Sequence, residues 1–206
     1  MILVGGVMIH APAFFDWLYR RAWYGEMMRD WAFALPQGAQ AKVLDLGCGP
    51  GGLTRDMVRQ GWQMTGVDRS LKMINRAQDS GNANFIVADA LELPFEGGRF
   101  DVVLSASLVN LVPDRVALFA EMARVLRPGG IASVLFPSPR FTLGCVEAQA
   151  RALPFMSAAA LRLWADKPPK CDPDQVLRDA AKAGLVGGVC APTRFDGVVS
   201  VTTQAS

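Results

Sequence analysis

The stretch Val43–Gly52, "VLDLGCGPGG", decides the fold. An apolar run carrying one carboxylate, Asp45, opens into four glycines and a proline. A chain does this where its backbone must come close to a ligand. Glycine turns between a strand and a helix usually cradle phosphate, because the helix start presents free N–H groups and a positive dipole end. Asp45, two residues before Gly47, opposes that reading, since its charge repels a diphosphate.

Strands and helices alternate outward from this turn. "KVLDLG" (42–47) reads as a buried strand, and the helix after the turn carries Leu53, Met57 and Val58 on one face and ends at Gly61. "WQMTGVD" (62–68) is a second strand, after which Ser70 caps a short helix, "LKMINRAQ" (71–78). "NFIVAD" (84–89) and "FDVVLSA" (100–106) are the third and fourth strands. Residues 114–126 are expected as a helix with Val116, Phe119, Ala120 and Ala123 on one face, stopped by "RPGG" (127–130). "IASVLF" (131–136) is unbroken apolar sequence, which suits a strand buried on both faces. In "DPDQ" (172–175), Asp172 caps a helix, Pro173 fits its first turn and Gln175 closes a capping box. "GGVCAPTRF" and "GVVSVTTQ" then form a closing strand pair.

The pattern predicts an α/β fold: a Rossmann-like, doubly wound, mostly parallel sheet of about seven strands, the last antiparallel, with the ligand at the carboxyl ends of the strands. Residues 13–35 read as one or two aromatic-rich helices. Residues 1–40 are expected as an N-terminal helical lid and 41–206 as the ligand-binding domain, with 139–171 inserted on the substrate side.

Composition narrows the function. The chain has 206 residues, 51% hydrophobic and 19% charged, with a net charge of +2. That suits a globular protein and gives no electrostatic footprint for nucleic acid. Cys48, Cys145, Cys171 and Cys190 are widely spaced without a CxxC pair, so neither a metal site nor a disulfide framework is expected. The opening "MILVGGVM" lacks the marks of a secretory signal, and no stretch approaches a membrane span. A cytoplasmic location is expected.

Gly47, Gly49 and Gly52 satisfy G-x-G-x-x-G, and Asp68 follows Gly47 by 21 residues, as a carboxylate for ribose hydroxyls does. S-adenosylmethionine (SAM) shares adenine and ribose with the dinucleotides but carries no phosphate. Its methionine arm is cationic, which Asp45 favours.

Four ordered segments support this choice: "VLDLGCGPGG", "GVDRSLKMINRA" (66–77), "VADALELPFEGGRFDVVLS" (87–105) and "FAEMARVLRPGG" (119–130). Over residues 40–138 the chain resembles the class I SAM-dependent methyltransferases, of the small-molecule type related to ubiquinone and menaquinone biosynthesis. The resemblance implies that Asp45, Gly47, Cys48 and Gly49 surround the methionine arm, with no catalytic role for the Cys48 thiol. It also implies that Asp68 accepts the ribose hydroxyls, with Arg69 beside it and Met73 against the adenine. Asp89 would accept from the adenine amino group, with Ala90 and Leu91 adjacent, while Ser105 and Ala106 end the fourth strand beneath the sulfur.

The aromatic residues of 1–40 and 139–171 favour a small apolar or aromatic substrate, and the expected assembly is a monomer or homodimer. Arg20, Arg21, Arg151 and Arg162 are either binders of an acidic group or solvated. Nucleic acid is disfavoured, because "SASLVNLVPD" (105–114) lacks the [DN]-PP-[YF] sequence used on base amines. Related enzymes often carry histidine just before V-P-D, whereas this chain has Leu111, and His10 is its only histidine, placed in a frayed leader. The acceptor is therefore expected either to arrive already nucleophilic, as a thiolate, an amine or a stabilised carbanion, or to use Tyr19, Tyr24 or a carboxylate as base; Asn110 is a further catalytic candidate. Two alternatives stay open: a methyltransferase-fold binding or regulatory protein without turnover, and a thiol-dependent metalloid methyltransferase using Cys145 and Cys171.

Overall fold

The computed structural model describes residues 2–4, 7–35, 40–78 and 83–206. The chain opens with a hairpin, β1 (Ile2–Val4) and β2 (Val7–Ile9), where the sequence suggested a frayed leader. Two helices follow, α1 (Ala11–Tyr19) and α2 (Ala22–Phe33). The boundary expected near residue 40 borders 36–39, which lie outside the described residues.

The alternating part begins with β3 (Lys42–Leu46), α3 (Gly52–Arg59), β4 (Gln63–Asp68), α4 (Leu71–Gln78) and β5 (Asn84–Val87). It continues through β6 (Phe100–Ala106), α5 (Arg115–Val125) and β7 (Leu126–Pro137). Helices α6 (Leu143–Arg151), α7 (Phe155–Asp166) and α8 (Pro173–Lys182) precede the closing strands β8 (Leu185–Pro192) and β9 (Val198–Ala205).

The seven-stranded sheet has the order β5-β4-β3-β6-β7-β9-β8. Strands β5 to β7 pair in parallel, and β9 inserts antiparallel between β7 and β8. After β3 the chain winds outward to β5 and then returns to the other side of β3 as β6. The crevice between the carboxyl ends of β3 and β6 is thus the topological switch point. Val43, Leu44 and Leu46 are fully buried, as a strand covered on both faces requires.

One face of the sheet packs on α5 and α8 through Phe119, Met122, Val176 and Ala180. The other packs on α2, α3, α6 and α7 through Met28, Trp31, Met57, Val146 and Leu161. Trp31 ties α2 to β7, its Nε1 donating to Ser133 Oγ at 2.9 Å.

Three local expectations are corrected. Helix α5 buries Leu118, Phe119, Met122 and Val125, while Ala120 is exposed, because the larger side chains at i, i+4 and i+7 take the core stripe. "RPGG" lies inside β7 rather than before it. The β6 ladder jumps from Phe100–Leu126 to Val102–Ile131, and the extra residues bulge out at Pro128 and Gly129. At α8, Asp172 accepts from the Gln175 backbone as expected, but the Gln175 side chain donates forward to Asp179 Oδ1 at 2.8 Å.

Candidate functional site

The glycine turn crosses the carboxyl end of β3 and is held to β4, since the N–H groups of Gly47 and Cys48 both donate to the Val67 carbonyl. Asp68 closes the turn from β4. Its Oδ2 accepts from Gly49 N at 3.0 Å, and its Oδ1 accepts from Ser70 N at 2.8 Å, at the start of α4. Each carboxylate oxygen keeps a free lone pair for a ligand hydroxyl.

Gly49 has φ +54°, and a Cβ built on it would meet nothing within 4 Å. The turn therefore leaves open space at this residue. Gly52 has a different reason for its size: a Cβ there would lie 2.4 Å from the Tyr19 ring. Tyr19 of α1 thus lies directly on the first turn of α3, a packing partner invisible in the G-x-G-x-x-G spacing.

Asp45 lies beneath the turn, 3% exposed, and Thr54 Oγ1 donates to its Oδ2 at 2.6 Å. Burial pushes its carboxyl up to about 6, Asp68 adds to the rise and the Thr54 hydroxyl opposes it. Among the described residues no cation pairs with Asp45 or Asp68. Two mutually repelling carboxylates around open space fit a ligand that brings both a cation and hydroxyl groups. Thr54 was missed in the sequence; a hydroxyl one turn into the helix after an Asp-containing glycine turn is the signal that marks it.

The remaining expected cofactor residues lie along the strand ends. Arg69 is exposed and Met73 half-buried at the start of α4, while Asp89, also exposed, accepts from Leu91 N at 2.9 Å and so shapes the turn holding Ala90 and Leu91. Ser105 is fully buried, and its Oγ donates to the Leu46 carbonyl at 2.9 Å, which ties β6 to β3 at the switch point. Ala106 follows it at the strand end. Burial and the two nearby carboxylates push the Cys48 thiol up, which keeps it protonated.

Both tyrosine hydroxyls are held in the protonated form. Tyr19 donates to Asp56 Oδ2 at 2.8 Å, and burial together with that carboxylate pushes its hydroxyl up. Tyr24 is pushed up to about 12 by burial and by Asp45. Cys145 Sγ bonds to Thr142 and to the Asp196 carbonyl, whereas Cys171 is buried against the Val109 carbonyl. Arg20 pairs with Asp16, and Arg151 and Arg162 pair with Glu147.

Helix α1 is anchored by a buried acid. Asp16, 4% exposed, receives Arg76 of α4 at 2.6 Å, Arg20 at 2.9 Å and Arg55 of α3 at 3.5 Å. The helix therefore spans the two helices that flank the glycine turn. Helix α2 instead belongs to the core. It contributes Trp23 and Tyr24 to an aromatic wall with Phe141, Trp164 and Phe195, whose neighbouring ring centroids lie 4.7–6.5 Å apart. A groove of about 550 Å³ lies at the opposite end of the sheet, where Lys42, Gln63 and Phe100 begin strands whose far ends carry the site.

A sequence profile described as a methyltransferase domain matches residues 43–130. The chain is 35% identical over 127 residues to 2-methyl-6-phytyl-1,4-hydroquinone methyltransferase of Synechocystis, covering 58% of this chain and 39% of that one. It is 34% identical over 145 residues to ubiquinone biosynthesis O-methyltransferase of Xanthomonas oryzae, covering 61% of each. The chain thus spans less than two thirds of these relatives' lengths. A crystal structure of a Pyrococcus horikoshii protein superposes with a TM-score of 0.73 at 21% identity, covering 91% of this chain and 94% of that one, which shows a shared fold.

Proposed function

We propose that this chain is a class I SAM-dependent methyltransferase that methylates a small apolar or aromatic metabolite, a reading supported by the methyltransferase-domain profile over residues 43–130 and by relatives at 34–35% identity over part of their length. One observation carries the reading: the open space at Gly49, with Asp68 on its N–H, Asp45 buried beneath the turn on Thr54, and no cation among the described residues paired with either. When bound, SAM supplies an electrophilic methyl group on a positively charged sulfur.

The chain's residues divide the remaining work. Asp45, held by Thr54, offers negative charge to the cationic arm, and Asp68 offers lone pairs to the ribose hydroxyls. Helix α1, fixed by Asp16 and Tyr19, shields the start of α3 from water. The wall of Trp23, Tyr24, Phe141, Trp164 and Phe195 suits an apolar or aromatic acceptor, in keeping with the hydroquinone substrate named for the Synechocystis relative. In-line displacement at a methyl group gains much of its rate from such positioning. The cytoplasm is the location we favour, where four free cysteines stay reduced, and the assembly a monomer or homodimer. No helix among the described residues is long and apolar enough to cross a membrane.

Calorimetry with SAM, followed by mass spectrometry of hydroquinones, phenols and amines incubated with both, tests the proposal. The expected result is one SAM bound per chain and a product heavier by one methylene. Absence of SAM binding overturns the reading, and SAM binding without product on any acceptor favours a regulatory protein instead.

A further inference from the structure

The loop leaving β6 holds two buried polar atoms that no group among the described residues satisfies. Ser107 follows Ala106 directly and has φ +54°, the only left-handed non-glycine backbone among the described residues. Its N–H donates to the Leu135 carbonyl at 2.7 Å, yet its Oγ is buried without a partner. Three residues on, Asn110 is 7% exposed. Its Nδ2 donates to the Pro169 carbonyl at 3.1 Å, which fixes the amide orientation and leaves Oδ1 buried and unpaired. Leu111 beside it is 60% exposed, so the loop turns Asn110 inward and Leu111 out.

This loop bridges the two halves of the site. The Leu108 side chain lies against Gly47 of the glycine turn, 3.3 Å from where a Cβ would stand. Asn110 touches the segment between α7 and α8, on the side of the insertion. Buried polar groups are nearly always paired, and strained backbone persists where the surrounding structure holds it for a purpose. Both features fall on one short loop at the switch point.

We infer that Ser107 Oγ and Asn110 Oδ1 select and orient the methyl acceptor through an N–H or O–H group that it carries. Asn110 Oδ1 can only accept, so the acceptor must donate to it, and the Ser107 hydroxyl adapts as donor or acceptor. Both are neutral, so they position a nucleophile without removing its proton. The substrate class is accordingly a phenol or an amine. A fully alkylated analogue leaves Oδ1 unpaired and is rejected. This inference rests on the methyl-transfer reading above and adds the chemistry of the acceptor to it.

The test uses the full chain saturated with S-adenosylhomocysteine. Ligand-observed NMR titration compares catechol and aniline with veratrole and N,N-dimethylaniline. Wild type is expected to bind the two donors at least about tenfold more tightly than their methylated counterparts. Ser107→Ala and Asn110→Ala should each remove most of that preference while leaving S-adenosylhomocysteine affinity unchanged. Ser107→Gly relieves the left-handed backbone and should melt a few degrees higher, yet lose the same preference. A purely structural Ser107 predicts the higher melting point with the preference intact, and that result overturns the inference. So does a wild type that binds S-adenosylhomocysteine but does not discriminate between donors and methylated controls, or binds none of them. A wild type that fails to bind S-adenosylhomocysteine overturns the methyl-transfer reading, and this inference with it.

Discussion

Asp45→Asn should make the ligand-free protein more stable and the cofactor site worse. In the folded chain the Asp45 carboxyl rises from 3.8 to about 6, chiefly through burial. Ionising it there costs about 3 kcal/mol, at about 1.4 kcal/mol per pKa unit. The direction follows from linkage: a folded value above the unfolded one penalises the fold at pH above about 6. The penalty shrinks as pH falls and is gone below about 3.8. Asparagine still accepts from Thr54 and carries no charge. Urea unfolding at pH 7.5 should therefore show the variant more stable by up to about 3 kcal/mol, with the two proteins converging toward pH 4. SAM binding should move the opposite way, because the ionised carboxylate is what attracts the cationic arm. Wild-type affinity should drop about tenfold between pH 7 and pH 5 as a proton competes for Asp45, and the variant's affinity should be lower and flat. A variant no more stable than wild type at pH 7.5, or a stability difference unchanged between pH 7.5 and pH 4, refutes the reasoning.

Other substitutions probe the neighbouring parts. Asp68→Ala should weaken SAM binding by about 1.5–3 kcal/mol in calorimetry, since it removes a ligand acceptor and frees the Gly49 N–H; an unchanged dissociation constant would take Asp68 out of the site. Gly52→Ala places a methyl group into the Tyr19 ring and should destabilise by about 1–3 kcal/mol, and Gly52→Ala combined with Tyr19→Ala should recover part of that loss. Asp16→Ala leaves the nearly buried Arg55 without its carboxylate. It should cost about 2–4 kcal/mol and speed hydrogen exchange throughout α1 but not α2; equal acceleration in both helices would show that they move as one unit.

The parallel half of the sheet was legible because its signals are local. Unbroken apolar runs mark strands buried on both faces, and glycines or prolines punctuate them. The glycine turn and Asp68 were legible for the same reason. What escaped depends on partners distant in sequence. Nothing near Gly52 announces that an aromatic ring from α1 rests on it, and nothing near Asp16 announces that arginines from α3 and α4 converge on it. The bond from the Ser105 hydroxyl to the Leu46 carbonyl, which ties two strands 59 residues apart in sequence, left no local signal either. The left-handed backbone of Ser107 left no trace, since that conformation is usually signalled by glycine. The Gln175 capping box failed because Asp179, one helical turn further on, competed for the same amide.

The antiparallel insertion of β9 between β7 and β8 sets the order in which the molecule can be finished. Strand β7 is complete at Pro137, but its partner on that side begins at Val198, so Ile131 waits for Gln204 and Pro137 for Val198. During synthesis, at roughly 5–20 residues per second, β7 stands with one edge bare for several seconds. That edge is apolar and long, the kind that recruits a strand from another nascent chain. Helices α6, α7 and α8 emerge in this interval and can settle over the sheet's faces, but they cannot pair with its backbone. Ribosome-bound chains arrested shortly before residue 198 should therefore be the most aggregation-prone, and those released beyond residue 205 the first to resist protease across β7.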